Sequence, residues 1–283
     1  MAVAIVTDTC HYLPRGLIAN NGIHEVSLYV HWQDRLEPER EIADYDAYYE
    51  RLRTASELPT TSQPSIGDFL AVYEPLLDSG HEIVSIHLAG GMSGTVRSAE
   101  QAREQLGARA GLVRVVDSAS ACGGEGLVLL AAAAAVRQGA TPSEVADHAL
   151  RARAQLKMWF AVDTLDYLRR GGRIGSAQAW LGSALKIKPI LTVESEITPV
   201  ERVRTSRRAF ERILELLHTC KEAGADAWIV QHIQAPAEAA ELAARGTELI
   251  GRGPAVVSEI GPVIGTHVGP GLLGAGGVPS SLL

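Results

Sequence analysis

Basic residues and cysteines are both scarce in this sequence of 283 residues. It contains 26 lysines and arginines against 33 aspartates and glutamates, a formal net charge of −7, whereas a nucleic-acid-binding protein needs a basic surface. The three cysteines, Cys10, Cys122 and Cys220, are far apart and form no C-x-x-C pair, which argues against a disulfide framework and a zinc site. We therefore expect no nucleic acid partner, no bound metal and a reducing compartment.

Long apolar segments are absent as well. The longest apolar run, from Leu127 to Val136, has ten residues, about half of the roughly 20 that a membrane-spanning helix requires. The chain starts with Ala2-Val3-Ala4-Ile5-Val6, without the charged segment and cleavage pattern of a signal peptide. These absences predict a cytoplasmic protein, and the 46% of hydrophobic residues predicts an ordinary globular core.

The order of the apolar segments predicts an α/β protein of two domains. Strand-like runs alternate with helical patterns in the first half, and the continuous apolar run Val3–Val6 is typical of a parallel sheet covered on both faces. Beyond about residue 156 the strand-like runs follow one another with few helices between them, as in an α+β domain. We expect a Rossmann-like, mostly parallel sheet in residues 1–155 and an α+β sandwich domain in residues 156–283.

Individual elements follow from periodicity and end signals. Leu127–Gln138 is apolar all round, which indicates a buried helix, and Gly139 fits the position just after its end. Thr141-Pro142-Ser143-Glu144 is a capping box that starts a helix continuing to about Gln155. The predicted strands are Val3–Asp8, Glu25–Trp32, Ile83–Leu88, Leu112–Asp117, Met158–Val162, Ile187–Val193, Ile197–Val203, Ala227–Ile233 and Ala255–Ile260.

Hydroxyl side chains cluster at two places in the first half. Ser93-Gly94-Thr95 follows the predicted strand Ile83–Leu88, and Thr60 to Ser65 lies about thirty residues upstream. Hydroxyls and glycine-freed N–H groups where a strand ends and a helix begins form a socket for an anion. Because no lysine or arginine stands next to either run, the anion is more consistent with a carboxylate than with a polyphosphate. The alternative is structural: Ser93 caps a helix, and Thr60 to Ser62 form a turn.

A serine hydrolase is a second hypothesis for the same serine. Gly91 to Thr95 approaches the nucleophile motif G-x-S-x-G, and Asp117 and His267 follow Ser93 in the Ser–Asp–His order of α/β-hydrolases. The match fails at its last glycine, where Thr95 stands, because a Cβ atom would crowd the strained turn.

The basic candidates are Arg170, Arg173, Arg204 and His267. Arg173 follows two glycines, a sequence that is poor for a helix and good for presenting a side chain. In an acidic protein, such a local group indicates a contact with phosphate or with a partner, and a solvated surface is the alternative. The glycine-rich run Gly123 to Gly126 matches neither G-x-G-x-x-G nor the P-loop, so nucleotide binding by this chain is not expected.

Taken together, eight short motifs resemble the DegV family, the bacterial fatty-acid-binding proteins that include the FakB subunit of fatty acid kinase. The resemblance covers residue 3 to about residue 275, and the motifs occur in the family order. They are Val6-Thr7-Asp8-Thr9, Thr61-Ser62-Gln63-Pro64-Ser65, Met92-Ser93-Gly94-Thr95, Val116-Asp117-Ser118, Thr164 to Ile174, Lys186-Ile187-Lys188-Pro189-Ile190-Leu191, Val203-Arg204-Thr205 and Gly265-Thr266-His267-Val268-Gly269-Pro270-Gly271.

The resemblance implies a DegV-like fold and a non-catalytic lipid carrier. Its ligand would be a long-chain fatty acid such as palmitate, stearate or oleate, with no cofactor. The carboxylate would be held at Thr61, Ser62, Ser93, Gly94 and Thr95, and whether Thr61 or Ser62 makes the shorter contact stays open.

The resemblance also implies a partner. In fatty acid kinase a FakB-like subunit presents its lipid carboxylate to a separate ATP-binding subunit, which forms acyl phosphate. Arg170, Arg173, Arg204 and His267 would surround the opening toward that partner. A transient contact with a membrane surface also stays open.

Overall fold

The computed structural model describes residues 2–181 and 187–283. Lys186, the first residue of one of the eight motifs, lies outside these ranges. The strands are β1 Ala2–Asp8, β2 Ile23–Val26, β3 Tyr29–Trp32, β4 Arg35–Pro38, β5 Thr60–Ser62, β6 His81–His87, β7 Val113–Asp117, β8 Lys157–Ala161, β9 Lys188–Glu194, β10 Glu196–Val203, β11 Ala227–His232, β12 Val256–Glu259 and β13 Leu273–Val278. The α-helices are α1 Arg15–Asn20, α2 Tyr45–Thr54, α3 Ile66–Asp78, α4 Thr95–Gln105, α5 Gly123–Arg137, α6 Pro142–Gln155, α7 Asp166–Arg170, α8 Ser206–Glu222, α9 Pro236–Ile250 and α10 Pro262–Val268.

A parallel sheet of four strands lies in the first half, in the order β2-β1-β6-β7. Helices α3 and α4 cover one face through Phe69, Tyr73 and Ala99, and α5 and α6 cover the other. Burial on both faces explains why Ile5 and Val6 stand side by side without a polar residue between them. The predicted parallel α/β architecture is confirmed.

A second sheet, in the order β10-β9-β8-β13-β11-β12, is antiparallel except for the pair β11 and β12. Helices α8 and α9 cover one of its faces. Helix α5 is buried between the two large sheets, because its side chains share a core with Ile5 of β1 and with Ile229 and Val278 of the second sheet. This position explains the run of alanines in α5, since a helix with no solvent-facing side needs no polar stripe.

The predicted strand Glu25–Trp32 is wrong as a single element. Its first part, β2, joins the parallel sheet, whereas its second part, β3, pairs with β4 and β5 in a separate three-stranded antiparallel sheet. The chain leaves the first sheet at Ser27, whose hydroxyl donates to the carbonyl of Leu28.

The predicted end signals of the helices are confirmed. Thr141 caps α6, and its side chain and that of Glu144 form the reciprocal bonds of a capping box. Gly139, just after α5, has a φ of +77°, the left-handed backbone that glycine favours. Among the described residues, no helix combines the length and the apolar character needed to cross a bilayer.

The division into domains stays a prediction. In the described part of the chain, the strands of the parallel sheet end at residue 117 and those of the second large sheet begin at residue 157. The hydrophobic cluster around α5 nevertheless contains side chains from both sheets.

Candidate functional site

The site lies at the carboxyl edge of the parallel sheet, where strand ends release loops. Asp8 ends β1 and accepts hydrogen bonds from the N–H of Cys10 and the N–H of Leu88, both at 3.0 Å. Asp117 ends β7 and accepts from the N–H of Gly90 and the N–H of Ala119, at 3.2 and 2.7 Å. Strands β1 and β7 flank β6 on either side, so these two carboxylates fix the loop that leads from β6 to Ser93.

Ser93 lies just before helix α4. Its Oγ is 2.8 Å from Oγ1 of Thr95 and accepts from the N–H of Thr95 at 3.3 Å. The residue that caps the helix is Gly94, which supplies no side-chain bond, so Ser93 is not the cap that the structural alternative predicts. The first N–H groups of α4 therefore give this loop a partial positive charge beside two hydroxyls.

The second group of hydroxyls, Thr60 to Ser62, forms strand β5 rather than a turn. Thr61 pairs with Val30 of β3. Oγ1 of Thr61 lies 2.8 Å from Nε2 of His267, and Oγ of Ser62 lies 2.8 Å from Nε2 of His31. Each hydroxyl is thus oriented by an imidazole ring.

The two hydroxyl runs meet in one pocket, which we call the polar pocket. The structure brings five of the sequence-predicted residues to its wall, namely Thr61, Ser62, Ser93, Arg173 and His267. Of the other two members of the predicted socket, Gly94 lies against the amide of Gln63, and Thr95 is buried behind Ser93. The described residues contain no group of three or more histidine, cysteine, aspartate or glutamate side chains arranged to hold a metal ion.

His267 is a neutral ring at physiological pH. Burial and, to a lesser degree, the charge of Arg173 lower its pKa from 6.5 to about 4. Nδ1 of the ring is buried without a hydrogen-bond partner. An unpaired buried N–H is costlier than a bare ring nitrogen, which assigns the proton to Nε2. In that tautomer His267 donates to Thr61, and the hydroxyl proton of Thr61 is free to point into the pocket.

A glycine turn presents Arg173, as its sequence predicts. Gly172 has a φ of +69°, and Arg173 is exposed at the mouth of the polar pocket. Nη1 of Arg173 donates to the carbonyl of Gly171 at 2.8 Å, and Nε donates to the carbonyl of Met92 at 3.5 Å. A Cβ atom on residue 171 would collide with Nδ1 of His267, so only glycine fits there.

The remaining basic candidates lie outside the polar pocket. An adjacent cleft on the surface, here called the outer cleft, is lined by Arg170 and by three residues of the polar pocket, Thr61, Arg173 and His267. Arg170 donates to the carbonyl of Ser56 at 3.5 Å. Arg204 is exposed just after β10 and lines neither space.

An apolar pocket lies beside the polar pocket and shares Met92, Ile264 and Val268 with its lining. Of its fourteen lining residues only Gln231 carries a polar side-chain amide, and that amide is engaged by Ser258 and by backbone groups. The wall is built by the inner face of the second large sheet and by helix α10. The lining residues are Met92, Ala121, Cys122, Met158, Phe160, Val193, Ile197, Ile229, Gln231, Ile260, Ile264, Val268, Leu272 and Gly274.

The contacts of Ser93, Asp117 and His267 do not support a serine hydrolase. Asp117 is bound to the backbone N–H groups of Gly90 and Ala119, and the hydrogen-bond partner of His267 is Thr61 rather than Ser93. Ser93 is paired with Thr95. A Ser–His–Asp triad requires a base bonded to the nucleophile and oriented by the acid, and neither bond is formed.

Three further residues belong to the site, of which Gln63 and Met92 line the polar pocket. His31 orients Ser62, Gln63 lies against Gly94, and Met92 lines both the polar and the apolar pocket. Gln63 and Met92 stand inside the quoted motifs, so their place next to predicted residues was a usable signal. Nothing in the local sequence around His31 marks it.

Helix α10, which carries His267, is held by a buried carboxyl group. Oε1 of Glu39 accepts from the N–H of Val263 at 2.7 Å and from the hydroxyl of Tyr12 at 2.8 Å, and Oε2 accepts from Thr9 at 2.6 Å. Burial raises the pKa of Glu39 from 4.5 to about 7, although these hydrogen bonds lower it. The start of α10 therefore depends on a group that titrates near neutrality.

Glu39→Gln is expected to change how stability depends on pH. The unfolded chain releases the Glu39 proton near pH 4.5 and the folded protein near pH 7, so ionisation lowers the free energy of unfolding as pH rises through this window. Across this window the free energy of unfolding falls by about 3 kcal/mol in total, at about 1.36 kcal/mol per pKa unit. Urea titrations at several pH values should show the parent losing stability relative to the variant, with a plateau above the window. If the free energies of unfolding of the parent and the variant differ by the same amount at every pH in this window, the prediction is wrong.

The fold is similar to solved structures of the DegV family. A DegV family protein from Thermus thermophilus, described for its fatty acid binding, superposes with a TM-score of 0.89 at 33% identity and covers 99% of this chain and 100% of its own. DegV of Bacillus subtilis, described as a fatty acid binding protein, superposes with a TM-score of 0.88 at 36% identity, covering 98% of each chain.

The sequence comparisons agree. A family model described as "Uncharacterised protein, DegV family" matches residues 2–280. A DegV domain-containing protein of Streptomyces coelicolor is 41% identical over 276 residues, which is 96% of each chain. The chain belongs to the DegV family.

Proposed function

We propose that this protein binds one long-chain fatty acid, such as palmitate, stearate or oleate, and presents its carboxylate to an ATP-binding kinase. The observation that carries the proposal is that a hydroxyl-lined polar pocket lies beside an almost entirely apolar one and shares three lining residues with it. The described fatty acid binding of the Thermus and Bacillus relatives supports it.

The carboxylate would be held by the hydroxyls of Thr61 and Ser93, with Ser62, Gly94 and Thr95 completing the socket. A hydroxyl that donates to a carboxylate makes a charge-assisted hydrogen bond, and the start of α4 adds favourable partial charge. His267 donates to Thr61 as a neutral ring and so orients this hydroxyl. Because the ring carries no charge, it does not form an ion pair with the carboxylate in place of the hydroxyl.

The acyl chain supplies most of the affinity. Burial contributes about 0.8 kcal/mol per methylene, so a chain of about sixteen carbons gains on the order of 10 kcal/mol before ordering costs. The ligand would therefore remain bound during purification, and the protein would act as a carrier without a cofactor.

Transfer needs a second protein. The sequence has no P-loop, so the nucleotide would be bound by the partner, and the carboxylate oxygen would attack the γ-phosphorus with ADP as the leaving group. Arg173 and Arg170 line the outer cleft and would meet the phosphoryl group or the partner surface there. Arg204 would contact the partner outside the cleft.

The protein purified from bacterial cells should contain a fatty acid that was never added. Native mass spectrometry should show a mass excess of one acyl chain, and solvent extraction should release that acid. After delipidation, labelled palmitate or oleate should rebind with one-to-one stoichiometry. Protein that carries no acyl chain and binds neither acid after delipidation would refute the carrier function.

A further inference from the structure

The passage between the polar and the apolar pocket has one rigid wall. Among the described residues, Met92, Ile264 and Val268 line both pockets. Ile264 and Val268 lie one turn apart on α10, and β-branched side chains on a helix have essentially one rotamer. Helix α10 is itself held in place, because the hydroxyl of Thr266 is hydrogen-bonded to that of Tyr48 at 2.6 Å.

Met92 is the third residue that lines both pockets. Its N–H donates to the carbonyl of Ala89 at 2.9 Å, and its carbonyl accepts from Nε of Arg173 at 3.5 Å, so the backbone is held on both sides. The neighbouring Gly91 lies so close to the carbonyl of Ser195 that no Cβ atom would fit. The backbone on this side of the passage cannot yield, so a wider acyl chain must displace the Met92 side chain itself.

We propose that Met92 is the selectivity residue of the passage and discriminates against fatty acids that carry a methyl branch at C3. The inference rests on the proposed function. Since Ser93, the next residue, lies at the carboxylate end, the first carbons of the chain must pass Met92. A linear methylene chain needs the least width, whereas a methyl branch at C3 forces the Met92 side chain against Ile264 and Val268.

The test compares hexadecanoate with 3-methylhexadecanoate on delipidated protein, by competition against a labelled fatty acid. The parent should prefer the linear acid about tenfold or more, the usual effect of forcing one extra carbon into a packed site. Met92→Ala should reduce this preference to about threefold or less, because the truncation opens the passage. Met92→Leu, which keeps the volume, should retain the preference of the parent.

Met158→Ala is the matched control, because Met158 lines the apolar pocket without lining the polar pocket. This variant should keep the preference of the parent even if both acids bind more weakly. The inference is overturned if the parent does not discriminate, if Met92→Ala discriminates like the parent, or if Met158→Ala loses the preference equally. Failure of the parent to bind hexadecanoate at all would instead refute the proposed function, and this inference with it.

Discussion

A variant with Thr61→Val and Ser93→Ala is expected to bind a long-chain fatty acid at least about a hundredfold more weakly than the parent, because a hydrogen bond to a charged group contributes about 1.5–3 kcal/mol and two are lost. Valine keeps the shape of threonine, so the packing of β5 should change little. The measurement is a titration of delipidated protein with labelled palmitate, together with a melting temperature for each protein.

Thr60→Val is the matched control for this experiment. Thr60 lies next to Thr61 on β5 and is exposed, and it lines the outer cleft but not the polar pocket. The control should bind palmitate like the parent. If the double variant also binds like the parent, the carboxylate lies elsewhere in the molecule.

Arg173→Ala is expected to separate lipid binding from transfer. The side chain is exposed and lines the polar pocket and the outer cleft but not the apolar pocket, so the acyl chain should stay bound. Formation of acyl phosphate with an ATP-binding kinase subunit should fall about a hundredfold or more, the usual loss when a group that stabilises charge in the transition state is removed. Lipid content and phosphorylation rate are measured on the same preparations.

Arg151→Ala removes an exposed arginine of α6 that lines neither the polar pocket nor the outer cleft, and it should leave both quantities unchanged. An equal loss of lipid and of activity in Arg173→Ala would mean that Arg173 holds the pocket closed rather than serving the partner. Full activity of Arg173→Ala would remove this residue from the transfer step.

Sequence patterns predicted those elements whose signal is local. Strand β1 follows from a run of apolar residues, and α6 from a capping box within four residues. Strand β13 was missed although it lies in the middle of the second large sheet. Its sequence, with three glycines in six residues, has little strand propensity by itself.

The reason for those glycines is visible only in the assembled sheet. A Cβ atom on Gly276 would collide with the carbonyl of Lys157 on the neighbouring strand β8. The close approach is a property of two segments that are distant in sequence, so no window along the chain contains it. The break between β2 and β3 has the same origin, since each strand pairs with a different sheet.

For the site, the sequence by itself determined which groups are present: hydroxyls at Thr61, Ser62 and Ser93, a glycine turn before Arg173, and the family. The tertiary structure decided how they act together. Thr61 and His267 are 206 positions apart, and only packing brings them within 2.8 Å and keeps the ring neutral by burying it. Residue types fix which hydrogen bonds and charges are available, whereas distance and burial depend on contacts between remote segments.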